Sequence, residues 1–142
     1  KGDAAKSGGV VTNIGIHFID MLHWIFGPAE TTTVHYAAPD CAAGFLRLKR
    51  ARVRYFLSVN PAHRPSPAND PMSSFRSMSI DGRQFDFSNG FTDLHTLSYR
   101  RIIDGEGFSI ADAAAAIATL ETIRRTNAVG PKGDYHPLLR KI

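Results

Sequence analysis

Between Gly8-Gly9 and Gly27-Pro28 runs a stretch with helical periodicity and helix-breaking residues at both ends. Val10, Ile14, Phe18, Met21, Leu22 and Ile25 recur at helical spacing and form a wide apolar stripe. A helix from Val10 to Phe26 is therefore predicted, entered through the diglycine turn and stopped by Gly27-Pro28. Asn13, His17 and Asp20 fall along a neighbouring stripe. Asn13 and His17 are one turn apart, about 6 Å along the axis, and point the same way. Imidazole is the side chain best able to take or give a proton near neutral pH, and an amide one turn earlier can hold a hydroxyl or carbonyl beside it. That pairing suits alcohol oxidation. Spacing alone leaves a plainer alternative open, because a lone histidine on an apolar helix is more often a satisfied core residue.

Downstream, Thr31 to Tyr36 is rich in β-branched residues and reads as a strand. Ala43 to Lys49 and Arg52 to Asn60 read as two longer strands joined by a tight hairpin at Arg50-Ala51, without the usual Asn-Gly signal. Pro61 to Met72 holds four prolines and no apolar period, so it is predicted to be a loop. Ser73 to Ile80 and Arg83 to Phe87 flank Asp81-Gly82, a strong hairpin turn. Phe91 to Ile103 and Ile110 to Thr126 read as helices, the second with Ser109 as its candidate cap, and the tail with Gly130, Pro131 and Pro137 is irregular. The expected class is α+β: an open, largely antiparallel mixed sheet with helices on one face.

The long hairpin alternates. Leu46, Leu48, Val53, Tyr55, Leu57 and Val59 share one apolar face, while Phe45, Arg47, Lys49, Arg52, Arg54 and Phe56 share the other. Phenylalanines left in water cost roughly 25 cal/mol per Å², and arginines mixed with aromatics are a common interface composition. Self-association through the Phe45/Phe56 face is the expectation.

The chain of 142 residues fits one domain with a real core, and its apolar fraction of 43% argues against disorder. No apolar run reaches the length of a membrane span. The opening Lys1-Gly2-Asp3 is polar and lacks an initiator Met, so a fragment of a longer protein is expected. A single cysteine, Cys41, rules out an internal disulfide and fits a reducing cytosol. The net charge of +4 allows anionic ligands such as nucleotides or uronates. It does not point to nucleic acid, since the run from Arg47 to Arg54 is split by strand alternation and no RNA-binding motif accompanies it. There is no GxGxxG or Walker loop, no zinc-spaced Cys/His set and no GxSxG elbow. Asp93 and His95, at a helix start, fit stabilisation of the helix dipole better than catalysis.

Three segments carry a resemblance: Ser7-Gly8-Gly9 followed by Asn13-Ile14-Gly15-Ile16-His17 and Asp20; Phe56-Leu57-Ser58-Val59-Asn60-Pro61; and Gly90-Phe91-Thr92-Asp93-Leu94-His95-Thr96. The first, running on to Ile25 and Gly27, resembles the start of the C-terminal domain of the glucose–fructose oxidoreductase/inositol dehydrogenase (Gfo/Idh/MocA) family. That family has Asp where this chain has Asn13; with that departure in Thr12–His17, and with the other two segments, the chain resembles a subgroup of bacterial dehydrogenases acting on UDP-N-acetylglucosaminuronate in lipopolysaccharide O-antigen synthesis.

The resemblance implies a cytoplasmic parent enzyme whose N-terminal Rossmann domain, absent from this chain, binds NAD and carries the catalytic lysine. This chain would then supply the substrate wall and the oligomer interface. In that reading His17 matches the active-site histidine and Asn13 the sugar-holding position before it. Ser7, Thr12 and Asn60 are candidate substrate contacts, and for Asn60 a strand-capping role is an equal alternative. The implied reaction is hydride transfer from the ring C3 alcohol of the UDP-sugar to NAD. A neutral Asn13 fits it, since a further carboxylate would repel the diphosphate and uronate. The implied assembly is a homodimer or homotetramer through the open sheet face, with no nucleic-acid or membrane partner. The competing class is a non-enzymatic oligomerisation or regulatory module of the same fold.

Overall fold

The computed structural model describes residues 8–64, 74–86 and 93–142. They divide into two compact units, one from Lys1–His63 with Ile110–Ile142 and the other from Arg64–Ser109.

The first unit opens on the diglycine turn. Gly8 and Gly9 both have left-handed backbones, with φ of +77° and +71°. A Cβ on Gly8 would lie 2.2 Å from Thr12 Oγ1, and that hydroxyl donates to the Gly8 carbonyl at 2.9 Å. A π-helical turn, Val11–Gly15, follows and runs on into helix α1, Ile16–Phe26. The Gly27 N–H then closes the end by donating to the His23 carbonyl at 2.8 Å.

The buried stripe of this helix is Val11, Gly15, Ile19 and Leu22, joined by Val10 at its start. Of the predicted stripe, Val10 and Leu22 are buried, but Ile14, Phe18 and Met21 are half-buried and Ile25 is exposed. Gly15 is the reason. It has no side chain to register in a hydrophobic pattern, yet it sits at the centre of the packed face.

Strands β1 (Ala29–Ala37), β2 (Cys41–Leu48) and β3 (Ala51–Ser58) form a three-stranded antiparallel sheet in that order. The β2–β3 hairpin turns at Lys49-Arg50, between the paired Leu48 and Ala51. Its turn is fixed from outside: the Arg50 N–H donates to the Phe26 carbonyl at 3.0 Å and the Lys49 N–H to the Pro28 carbonyl at 3.1 Å. Tertiary hydrogen bonds thus take the place of Asn-Gly turn chemistry.

Val34, Cys41 and Leu46 are fully buried in the sheet. Helix α3, Ile110–Arg125, packs on α1 and β1 and buries Ala116, Thr119, Leu120 and Ile123. The pairing of β1 with β2 shifts between Val34 and Tyr36, and the extra residue there, His35, is buried.

The second sheet face carries the predicted set, since Phe45 pairs with Arg54, Arg47 with Arg52 and Ala43 with Phe56. It is not open, however. The chain's own tail approaches it: Asp134 forms an ion pair with Arg52, and the Phe56 ring lies 5.6 Å from His136 and 5.9 Å from His63. The Val129 N–H donates to the Val34 carbonyl at 2.9 Å. A 3₁₀ turn, Pro137–Lys141, follows, with Leu139 buried. Arg52 also stacks over Phe45, its guanidinium carbon 5.7 Å from the ring centre. Phe45 and Phe56 are therefore half-buried, and the expectation that both stand exposed is corrected.

In the second unit, β4 (Ser77–Ile80) and β5 (Arg83–Asp86) pair antiparallel around Asp81-Gly82. Both turn residues have positive φ, 49° and 81°, as a type I′ hairpin requires. Helix α2, Leu94–Ile103, buries none of its residues, although Leu94, Leu97 and Ile102 follow the predicted period. The five described strands therefore form two sheets rather than one, and every pairing among them is antiparallel. β4 begins at Ser77, with residues 74–76 irregular. The predicted strand and helix ends at Ser73, Phe87 and Phe91 lie outside the described residues. Among the described residues no helix is long and apolar enough to cross a membrane.

Candidate active-site wall

The side of the first helix opposite its buried stripe carries Asn13, His17, Asp20 and Trp24, all exposed. Asn13 belongs to the π turn and His17 to the first turn of α1. Neither side chain has a hydrogen-bond or ion-pair partner among the described residues, so both are available to a ligand. Sequence spacing predicted this pairing, and the solvent exposure of His17 removes the core-histidine alternative.

Trp24 is the residue that sequence reasoning missed. At 83% exposed it is an apolar shoulder on the same stripe. The signal was present, because Asn13, His17, Asp20 and Trp24 follow a helical period of their own.

The other candidates are engaged within the chain. Thr12 is half-buried and its hydroxyl donates to Gly8. Asn60 caps the 3₁₀ turn Pro61–His63: its Oδ1 accepts from the Ala62 N–H at 3.0 Å and its Nδ2 donates to Asp40 at 3.3 Å. The Asn60 N–H donates to Ser58 Oγ at 3.0 Å, and that oxygen lies 2.8 Å from His63 Nδ1. The side chain of Asn60 thus caps the 3₁₀ turn that follows β3 rather than the strand itself. Ser7 lies outside the described residues.

Electrostatics separate the helix's outer stripe from the interior. Burial lowers the His23 pKa from the ordinary histidine range, against a smaller opposing effect of Asp20. Its Nε2 lies 3.4 Å from Thr119 Oγ1 on α3. Burial likewise lowers His136, with Arg54 adding to the effect. Burial pushes the Cys41 thiol up to about 11, Asp40 adds to the rise, and a hydrogen bond with Ser58 works against it. The Tyr55 hydroxyl is also pushed up by burial, and it has no hydrogen-bond partner among the described residues. Burial favours the neutral form of each of these groups, whereas the Asn13/His17 pair faces solvent.

Among the described residues no three His, Cys, Asp or Glu side chains are grouped to hold a metal ion. An open groove of about 350 Å³ runs between Pro28–Thr32 and the Ala115/Ala118/Thr119 side of α3, and neither Asn13 nor His17 lines it.

Residues 1–70 match the oxidoreductase family C-terminal alpha/beta domain of the Gfo/Idh/MocA group. The fold is similar to a crystal structure of the WlbA (WbpB) dehydrogenase from Thermus thermophilus in complex with NAD and UDP-GlcNAcA. The TM-score is 0.86 at 44% identity, over 95% of this chain and 44% of that one. A second structure of the WlbA (WbpB) dehydrogenase from Thermus thermophilus, with NAD and alpha-ketoglutarate, matches at 46% identity and TM-score 0.86 over the same shares. The chain thus spans less than half the length of the solved chains it matches. The family match at the helix that bears Asn13 and His17, together with a fold likeness along nearly the whole chain, shows that this chain belongs to the Gfo/Idh/MocA oxidoreductase family as a C-terminal alpha/beta domain.

Proposed function

We propose that this chain is the substrate wall of an NAD-dependent sugar-nucleotide dehydrogenase that oxidises the ring C3 hydroxyl of UDP-N-acetylglucosaminuronate, in the cytoplasm, for lipopolysaccharide O-antigen synthesis. The observation that carries the reading is the outward-facing Asn13/His17 pair, without a side-chain partner among the described residues, on a helix whose opposite side is locked into the core. The likeness to a dehydrogenase solved with NAD and UDP-GlcNAcA supports the choice of substrate.

The sequence contains no glycine-rich dinucleotide cradle, so its residues do not fit NAD's pyrophosphate and the dinucleotide is assigned to the rest of a longer protein. What this chain contributes is proton handling and orientation. His17, as the neutral imidazole, accepts the hydroxyl proton at a ring nitrogen as the alcohol becomes a ketone. Asn13 donates its amide N–H to a sugar oxygen and fixes which hydroxyl faces the imidazole. Ser7 at the helix entrance is proposed to add a polar contact. Thr12 and Asn60 serve the site by fixing, respectively, the helix start and the loop after β3. The parent enzyme is proposed to assemble as a homodimer or homotetramer through the sheet face, where Arg47 and Arg54 stand exposed beside the tail.

The test uses the full-length parent with UDP-N-acetylglucosaminuronate deuterated at C3. After quenching, mass spectrometry should find the label in the reduced nicotinamide dinucleotide. Oxidation that leaves the label in the sugar, or no oxidation of this substrate, overturns the assignment.

A further inference from the structure

The catalytic pair sits on an irregular piece of helix, and one glycine accounts for where that piece lies. The π turn Val11–Gly15 carries Asn13 and sets the phase with which His17 follows it on α1. Such turns are rare, occur mostly as single bulges inside α-helices, and are frequent at functional sites.

Gly15 ends the turn, midway between Asn13 and His17 in sequence. Its backbone is ordinary helix, φ −59° and ψ −36°, so conformational freedom does not explain a glycine there. On propensity alone alanine would be better by about 1 kcal/mol. The explanation is space. A Cβ at this position would lie 3.0 Å from Leu57 Cδ1 on β3 and 3.5 Å from Val11 Cγ1. The turn rests directly on the sheet at the one residue lacking a side chain.

We infer that Gly15 is a positioning residue: its contact with Leu57 seats the π turn on β3, and this seating aims Asn13 and His17 at the substrate. The inference rests on the proposed role of His17. A methyl group at Gly15 would meet Leu57 Cδ1 at 3.0 Å, too close for ordinary packing; in this reading it is the turn that gives way, by a few tenths of an ångström or more, and Asn13 and the following His17 shift with it. Misplacing a catalytic group by about 1 Å costs on the order of 10²-fold in rate.

The experiment measures substrate oxidation by the full-length parent carrying Gly15→Ala, Leu57→Val, both together, His17→Ala, and Gly15→Ala with His17→Ala. Gly15→Ala should lower kcat by about 10- to 100-fold. Leu57→Val, which withdraws the obstructing Cδ1, should by itself stay within about twofold of wild type and should restore the Gly15→Ala enzyme to within about threefold. In the His17→Ala background, Gly15→Ala should cost clearly less than it does in the wild type, because only Asn13 is left for it to position. A purely structural role would instead add its full cost there. If Gly15→Ala lowers the yield of folded protein, the comparison is made in the Leu57→Val background, where turnover must recover. Full turnover of Gly15→Ala, failure of Leu57→Val to rescue it, or additivity with His17→Ala overturns the inference. Near-normal turnover of His17→Ala overturns the proposed function itself, so the two failures are distinguishable.

Discussion

Cys41 and Ser58 face each other across the β2–β3 ladder, and their environment sets a measurable pH limit on stability. Burial and the Asp40 carboxylate raise the thiol from an ordinary 9.0 to about 11. A group whose folded pKa is raised keeps its full contribution below the unfolded value and loses it as pH climbs to the folded one. Stability should therefore decline between about pH 9 and 11, and a Cys41→Ala variant should escape that part of the loss. Urea unfolding at pH 8.5 and pH 11 should show the gap between wild type and Cys41→Ala shrinking by about 2 kcal/mol. A constant gap would mean that the thiol ionises as freely in the fold as out of it. His17 is the opposite kind of residue, exposed and unengaged among the described residues; spacing put it on one stripe with Asn13 but left open whether that stripe faced the core. Gly15 was not legible, because the residue that matters most to packing there contributes nothing to a hydrophobic pattern.

At the scale of elements, the faces of the long hairpin were legible because strand alternation is a local rule: Phe45, Arg47, Arg52, Arg54 and Phe56 fall where period two puts them. What covers that face was not legible. Asp134 and Arg52 are 82 positions apart, and no periodicity links a tail to a strand it meets only after folding. The tail's hold should depend on pH. His136 Nδ1 accepts the Leu138 N–H at 3.2 Å, which requires that nitrogen to be unprotonated. Burial and Arg54 hold His136 below its ordinary 6.5, so its contribution is present above that value and lost as pH falls through the lower folded pKa. Protonation would break the cap and set a second cation beside Arg54, with Asp134 already paired to Arg52. Amide exchange at Leu138 and Leu139, corrected for intrinsic rates, should show more frequent opening at pH 5.5 than at pH 7.5, and His136→Gln should remove the difference. Equal protection of the wild type at both pH values would show that the tail does not depend on this cap.

For the whole molecule, the α+β class, the long first helix, the β2–β3 hairpin and the last helix were all readable from period and punctuation. The division into two sheets was not. Nothing local tells the β4–β5 hairpin to pair within itself rather than extend the first sheet. The same limit applies to function. Composition excluded membrane spans and disulfides, but only the Asn13/His17 spacing and the family resemblance pointed to an alcohol-oxidising site. The structure adds the arrangement that gives this pair meaning: one side of a helix locked into the core by Gly15, Ile19 and Leu22, the other presenting an amide and an imidazole to solvent. The central claim is that this exposed imidazole handles the proton of the reacting alcohol. Turnover of the full-length parent carrying His17→Ala tests it most directly. The account predicts a fall of about 10²- to 10⁴-fold with an unchanged melting temperature, because His17 is not in the core. A variant that folds normally and turns over at close to the wild-type rate would contradict it.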